Sequence, residues 1–137
     1  MTILLIDDDK DDQILFCETV RIISPQIHCD IAGNGKEGLQ VLNEASKLPE
    51  LVFLDINMPI MDGRETLKVI KSTPKLQRLN VIVYSTSIGP ADAQEYTKLG
   101  VKHITKPSTF NGLLRALTGP IEQAIRQTQS EINSPFK

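Results

Sequence analysis

Five short apolar runs, each followed by a segment of helical periodicity, constrain this chain more than any other feature of its sequence. The runs are TILLI at Thr2–Ile6, IHCDIA at residues 27–32, LVFL at Leu51–Leu54, VIVY at residues 81–84 and VKHIT at residues 101–105. Over Lys10–Ile23, Phe16, Val20 and Ile23 recur at i, i+4 and i+7, and Ser24-Pro25 ends the pattern. Asn34 is expected to cap a helix over residues 35–46, with Glu37 in a capping-box-like position and Gly38, Val41, Leu42 and Ala45 on one face. A third helix is expected over residues 62–72, with Leu67 and Ile70 inward. Pro90 and Gly100 bracket a fourth, and Ser108 or Thr109 caps a fifth. LVFL and VIVY are continuous rather than alternating, as in strands covered on both faces. Five strand–helix repeats with short connections give right-handed crossovers. The fold class is therefore α/β, a doubly wound parallel sheet with helices on both faces.

The 137 residues, 40% apolar and 23% charged with net charge −2, suit one domain with one core. No apolar run approaches the ~20 residues that span a bilayer. The N-terminus enters the first run without a basic, cleavable leader. A cytoplasmic location and no membrane partner are expected. Lys and Arg are scattered singly, which argues against direct nucleic-acid binding. Cys17 and Cys29 form no CxxC pair and are read as buried small hydrophobes in a reducing compartment. His28 is read as a partly exposed strand residue, and Tyr84 and Tyr96 as core or helix-surface aromatics.

In open parallel sheets, ligands sit beyond the carboxyl ends of the strands. There this sequence has Asp7, Asp8 and Asp9 after the first run and Asp55 after the third. Ser85, Thr86 and Ser87 follow the fourth, and Lys106-Pro107 the fifth. Carboxylates a few ångströms apart repel, and one protonates unless a cation intervenes. Mg²⁺ (or Mn²⁺) relieves the repulsion; Mg²⁺ takes one or two carboxylates and fills its shell with water and phosphate oxygens. Such a site brings a phosphoryl donor to a carboxylate nucleophile, forming an aspartyl phosphate. Lys106 and Ser85 are suited to bind the transferred oxygens. Asp9, Asp11 and Asp12 are read as helix N-terminal charges outside the metal's shell, and Thr86 as a packing contact.

These residues resemble those of the receiver family of two-component response regulators, the chemotaxis-regulator-like domains. The segments are ILLIDDD at residues 3–9, LVFLDINMPIMDG at 51–63, VIVYSTS at 81–87 and ITKP at 104–107. The resemblance spans roughly residues 2–117. It implies a flavodoxin-like five-stranded sheet of order 2-1-3-4-5 and a phosphoprotein of a phosphorelay, with Asp55 as phosphoacceptor. Asp7 and Asp8 match the acidic pair that holds the metal, Asp8 as direct ligand, with Asp55 itself and the backbone carbonyl of Asn57 completing the protein's ligands to it. Ser85 matches the residue that bonds the phosphoryl group, and Lys106 the lysine that pairs with the acceptor, in a cis Lys106–Pro107 peptide. Met58-Pro59 and Asp62-Gly63 shape the adjacent loop, with Gly63 expected to supply a conformation closed to other residues. Relatives carry Tyr or Phe three residues before the lysine as a rotameric switch; here that position is His103. The implied donor is a sensor histidine kinase or histidine phosphotransfer protein.

Residues 1–118 are assigned to the receiver and 119–137 to a C-terminal extension. Phe110, Leu113, Leu114, Leu117, Ile121, Ala124, Ile125 and Ile132 keep one helical phase across Gly119-Pro120. That predicts a single kinked helix to about Gln129, outrunning the sheet beyond about Leu117, then disorder over residues 134–137. The protruding stripe would fold back or pack on a second copy, giving a homodimer through the last helix. No output domain fits after residue 130. The expected output is thus contact with an unidentified downstream protein, and the only chemistry is self-phosphorylation and self-dephosphorylation.

Three other functions compete. A Mg²⁺-dependent phosphohydrolase with an Asp nucleophile needs a second acid two residues on, where this chain has Asn57. A flavin or nucleotide carrier would place phosphate in the first loop, where five carboxylates over residues 7–12 would repel it. A non-phosphorylated receiver-like scaffold would have no need of the complete set of site residues.

Overall fold

The computed structural model describes residues 1–132. The predicted disorder over residues 134–137 lies outside the described residues, as does the side chain of Ile132. Strands and helices alternate as β1 (Thr2–Ile6), α1 (Lys10–Ile23), β2 (His28–Ala32), α2 (Gly35–Glu44), β3 (Leu51–Leu54), α3 (Gly63–Ser72), β4 (Val81–Ser85), α4 (Pro90–Lys98), β5 (Lys102–Thr105) and α5 (Phe110–Ile132). Where ends depart from the sequence reading they do so by a residue or two, within the fraying of any element end. α5 is the exception, running past Gln129.

All five strands pair in parallel in the order β2-β1-β3-β4-β5. β1, β3 and β4 are buried along nearly their whole length. Their side chains alternate between two apolar clusters. One holds Leu4, Ile6, Leu54 and Val83 with Leu42, Leu67 and Ile70. The other holds Ile3, Leu5, Phe53 and Tyr84 with Phe16, Leu113 and Leu117. Phe16, Phe53 and Tyr84 meet edge to face, with ring centroids 5.0–6.1 Å apart.

Side chains set the helix starts. Asp9 Oδ1 accepts from the Asp12 amide, and Asp62 Oδ1 from that of Glu65. Asn34 Oδ1 accepts from the Glu37 amide while the Glu37 carboxylate reaches back to the amide of Gly33. Thr109, not Ser108, caps α5 by accepting from the Gly112 amide.

α5 passes through Pro120 as one element. Beyond Leu117 the stripe takes the fold-back alternative: Ile121 and Ala124 are buried in the same apolar cluster as Leu113 and as Phe16 and Val20 of α1. Much of the stripe that suggested a second copy is therefore spent on the chain's own core. That burial offsets the hydrogen bond Pro120 cannot make to the Ala116 carbonyl.

The β3–α3 loop holds the backbone's one left-handed non-glycine residue among those described. Ile60 has φ +69° and is 78% exposed. The flanks fix it there, with Gly35 N donating to Met61 O and Met61 N to Pro59 O. A β-branched residue pays roughly 1–2 kcal/mol for this conformation. Ile60→Asn, which tolerates it and loses no buried contact, is expected to raise stability by about 1 kcal/mol in urea unfolding. An unchanged midpoint would mean the loop carries no strain.

Candidate functional site

Register builds the site. Ile6 pairs with Leu54, so Asp7 and Asp55 lie level on adjacent strands, one residue beyond the sheet. The Asp55 amide donates to Ile6 O, and the Asp7 amide to Ala32 O. Ser85 pairs with Thr105, and Lys106 N donates to Ser85 O at 2.8 Å, which brings the lysine to the same rim.

Carboxylate oxygens of Asp7, Asp8 and Asp55 lie within 4.8 Å of one another, the one such cluster among the described residues. Asp7 is fully buried, Asp55 nearly so, and Asp8 exposed. Lys106 Nζ lies 2.7 Å from Asp7, 2.8 Å from Asp12 and 3.6 Å from Asp55. It also sits 5.2 Å from the Tyr84 ring centroid. Asp55 Oδ1 accepts from the Ile56 amide and Asp7 Oδ1 from the Asp9 amide.

Burial pushes the Asp7 carboxyl above the usual range, partly offset by its hydrogen bond from Lys106. Burial, with the charges of Asp7 and Asp8, pushes Asp55 up to about 6 against the pull of Lys106. Burial alone would lower Lys106. Its hydrogen bonds to Asp12 and Asp7 prevail and hold the ammonium above its ordinary value. Three carboxylates, Asp7, Asp12 and Asp55, thus share one ammonium, and Asp8 adds a fourth negative charge beside Asp7 and Asp55. The deficit of positive charge and the all-oxygen donor set fit a hard divalent cation.

The raised acceptor has a measurable consequence. Asp55 binds its proton more tightly in the folded chain than at the ordinary 3.8, so its contribution to stability is full below 3.8 and lost as pH rises through about 6. Asp55→Asn is expected to stabilise the metal-free chain by about 2 kcal/mol near pH 7.5 and by almost nothing near pH 4. Urea unfolding at both pH values checks this. An equal effect at both would remove burial of charge as its cause.

The other residues singled out fall as follows. Ser85 is buried, its hydroxyl donating to Ser87 O at 3.4 Å. Asn57 and Thr86 are exposed beside the rim. His103 stands apart from the acids, exposed on β5, its ring centroid 6.2 Å from that of Tyr96 on α4. His28 is exposed and paired with Asp30 at 2.7 Å. Two expectations are corrected. The Lys106–Pro107 peptide is trans, since no cis bond occurs among the described residues. The lysine reaches Asp7 and Asp12 in the ordinary isomer, so nothing demands the rarer one. Gly63 does not have positive φ, which among glycines belongs to Gly100. Gly63 is needed because a Cβ there would lie 2.2 Å from Asp55 O.

Sequence reasoning missed the role of Asp12. It sits in the first turn of α1, as expected of a dipole charge, yet its carboxylate also grips Lys106. The surplus of acids in DDDKDD over what one helix start needs was the available signal.

The chain matches the model of the response regulator receiver domain over residues 3–118. It is similar to response regulator Rcp1 of Synechocystis sp., 32% identical over 123 residues that cover 85% of this chain and 84% of that protein. Among solved structures it resembles the phosphorylated cyanobacterial phytochrome response regulator RcpA, with TM-score 0.82, 32% identity and coverage of 90% and 93% of the two chains. It likewise resembles the Mn(2+)-bound form of Rcp1, with TM-score 0.77, 31% identity and coverage of 86% and 89%.

Proposed function

The chain belongs to the response regulator receiver domain family, and we propose on that footing that Asp55 accepts a phosphoryl group with Asp7 and Asp8 holding Mg²⁺ or Mn²⁺ beside it. What carries this reading is the meeting of the Asp7, Asp8 and Asp55 carboxylates within 4.8 Å, with Lys106 3.6 Å from the acceptor. The donor is a phosphohistidine of a sensor histidine kinase or phosphotransfer protein, or a small acyl phosphate. An Asp55 carboxylate oxygen attacks phosphorus, a P–O bond forms, and the donor's bond to phosphorus breaks. Asp7, Asp8, Asp55 and the backbone carbonyl of Asn57 would hold the divalent cation, which when bound would neutralise the carboxylates and the phosphoryl oxygens together.

Lys106 and the Ser85 hydroxyl take up the arriving phosphoryl oxygens, one as a charge and one as a donor. Drawing Ser85 inward breaks its long bond to Ser87 O and shifts the β4–α4 loop. The face of α4, β5 and α5, where His103 and Tyr96 sit, then changes population between two states. In this reading the output is contact with another protein in the cytoplasm, and the chain is no enzyme beyond its own phosphorylation and dephosphorylation.

Incubation with acetyl phosphate and Mg²⁺ is expected to add about 80 Da, one phosphoryl group, to the intact mass. The gain should vanish in Asp55→Ala and after chelation. Persistence of the adduct in Asp55→Ala would place the acceptor elsewhere.

A further inference from the structure

Cys17 and Cys29 lie outside the acidic site, yet they touch. Cys17 is on α1, at the margin of the face that buries Phe16 and Val20, and Cys29 is on β2, paired in register with Ile3. Their Sγ atoms are 2.8 Å apart, thiol against thiol. A disulfide needs ~2.05 Å, so the sulfurs have only about 0.8 Å left to close. Both residues are half-buried, within reach of a small oxidant. His28 and Asp30 alternate to the other face of β2 and pair with each other, so no metal-type set surrounds the thiols. We propose that Cys17 and Cys29 are a covalent modification site, forming a reversible intramolecular disulfide when the chain meets a peroxide.

Either sulfur can be the donor in their contact, and the Arg21 guanidinium one turn along α1 favours the thiolate form at both. The reaction is written with Cys17 attacking and Cys29 resolving; exchanging the two gives the same product. The Cys17 thiolate attacks one peroxide oxygen; an S–O bond forms, the O–O bond breaks, and hydroxide leaves to be protonated as water. The Cys29 sulfur then attacks the sulfenic sulfur; an S–S bond forms, the S–O bond breaks, and the departing hydroxide takes the Cys29 proton as a second water. Two thiols and one hydrogen peroxide give one disulfide and two waters.

The bond would staple α1 to an edge strand that has β1 as its one neighbour in the sheet. It closes a short loop around the Ser24-Pro25 turn, which constrains the unfolded chain. Oxidation is expected to raise the Tm by roughly 5 °C.

The test uses the folded chain and hydrogen peroxide. The expected product is lighter by about 2 Da, loses both alkylatable thiols, and recovers them with dithiothreitol. Trypsin cuts after Lys10, Arg21 and Lys36, so without reductant peptide 11–21 should emerge joined to peptide 22–36. Cys29→Ser should abolish the joined peptide and accumulate an oxygen adduct on Cys17. Any of three results from the wild-type chain would overturn the proposal: both peptides recovered alkylated, oxygen adducts without the link, or a link found only between two chains.

Discussion

Gly63→Ala is expected to destabilise the chain by about 3 kcal/mol and to slow phosphorylation by acetyl phosphate about 100-fold. The added Cβ would stand 2.2 Å from the carbonyl oxygen of Asp55 and 2.7 Å from the Cα of Ile56. Both are backbone atoms, so no side chain can rotate away. Gly63 N also donates to Ile56 O at 2.8 Å, which ties the first residue of α3 to the peptide that carries the acceptor. To admit a methyl group, α3 must retreat or Asp55 must move. Either displacement disturbs a cluster whose chemistry depends on oxygens a few ångströms apart, where ~1 Å is worth about 100-fold in rate. Gly89→Ser is the control: nothing lies within 4 Å, and the serine supplies the side-chain cap α4 lacks. It should leave phosphorylation unchanged and raise stability by about 0.5–1 kcal/mol. If Gly63→Ala phosphorylates at the wild-type rate, the contact between α3 and the acceptor peptide is not what positions Asp55.

Legibility followed from how each feature arises. LVFL and VIVY are readable because a strand covered on both faces has no polar position, and the structure buries every residue of both. HCDIA is fainter because β2 is an edge strand with both exposed and buried positions. The rim acids were readable because chain order fixes where strands end, and parallel strands end together. Features made by the third dimension were not. Cys17 and Cys29 are separated by a turn whose path no spacing rule predicts, yet their sulfurs touch. Ile60 occupies a backbone region that its own side chain disfavours, so its identity pointed away from the conformation it has. Gly63 is required by proximity rather than by φ, and proximity between a loop and a helix start is invisible in one dimension. Asp12 is the helix-start charge that its position in α1 predicts, and it also reaches Lys106, because a residue can satisfy a local role and a distant one at once.

Lys106→Met is expected to cost about 3–5 kcal/mol near pH 7.5 in the absence of metal. Among the described residues the ammonium is the one cation in contact with Asp7, which has no solvent exposure, and it also contacts Asp12 and lies 3.6 Å from Asp55. Methionine keeps much of the stem but leaves buried carboxylates facing one another uncompensated. Asp7 and Asp55 already titrate above the ordinary range with the lysine in place, and without it both rise further. A folded-state value above the unfolded one means a contribution present at low pH and lost as pH rises. The penalty should therefore fade as pH is lowered through about 6 towards 4, where the carboxyls hold protons. Mg²⁺ should recover part of it at pH 7.5, because the cation answers the same charge excess. Urea unfolding at the two pH values, with and without Mg²⁺, separates these effects. A loss of the same size in every condition would assign Lys106 to packing over the Tyr84 ring rather than to charge. Phosphorylation should survive the substitution, because attack needs the metal-side carboxylates. What should fail is the response to it, since no ammonium remains to leave Asp7 and Asp12 for the arriving phosphoryl oxygens.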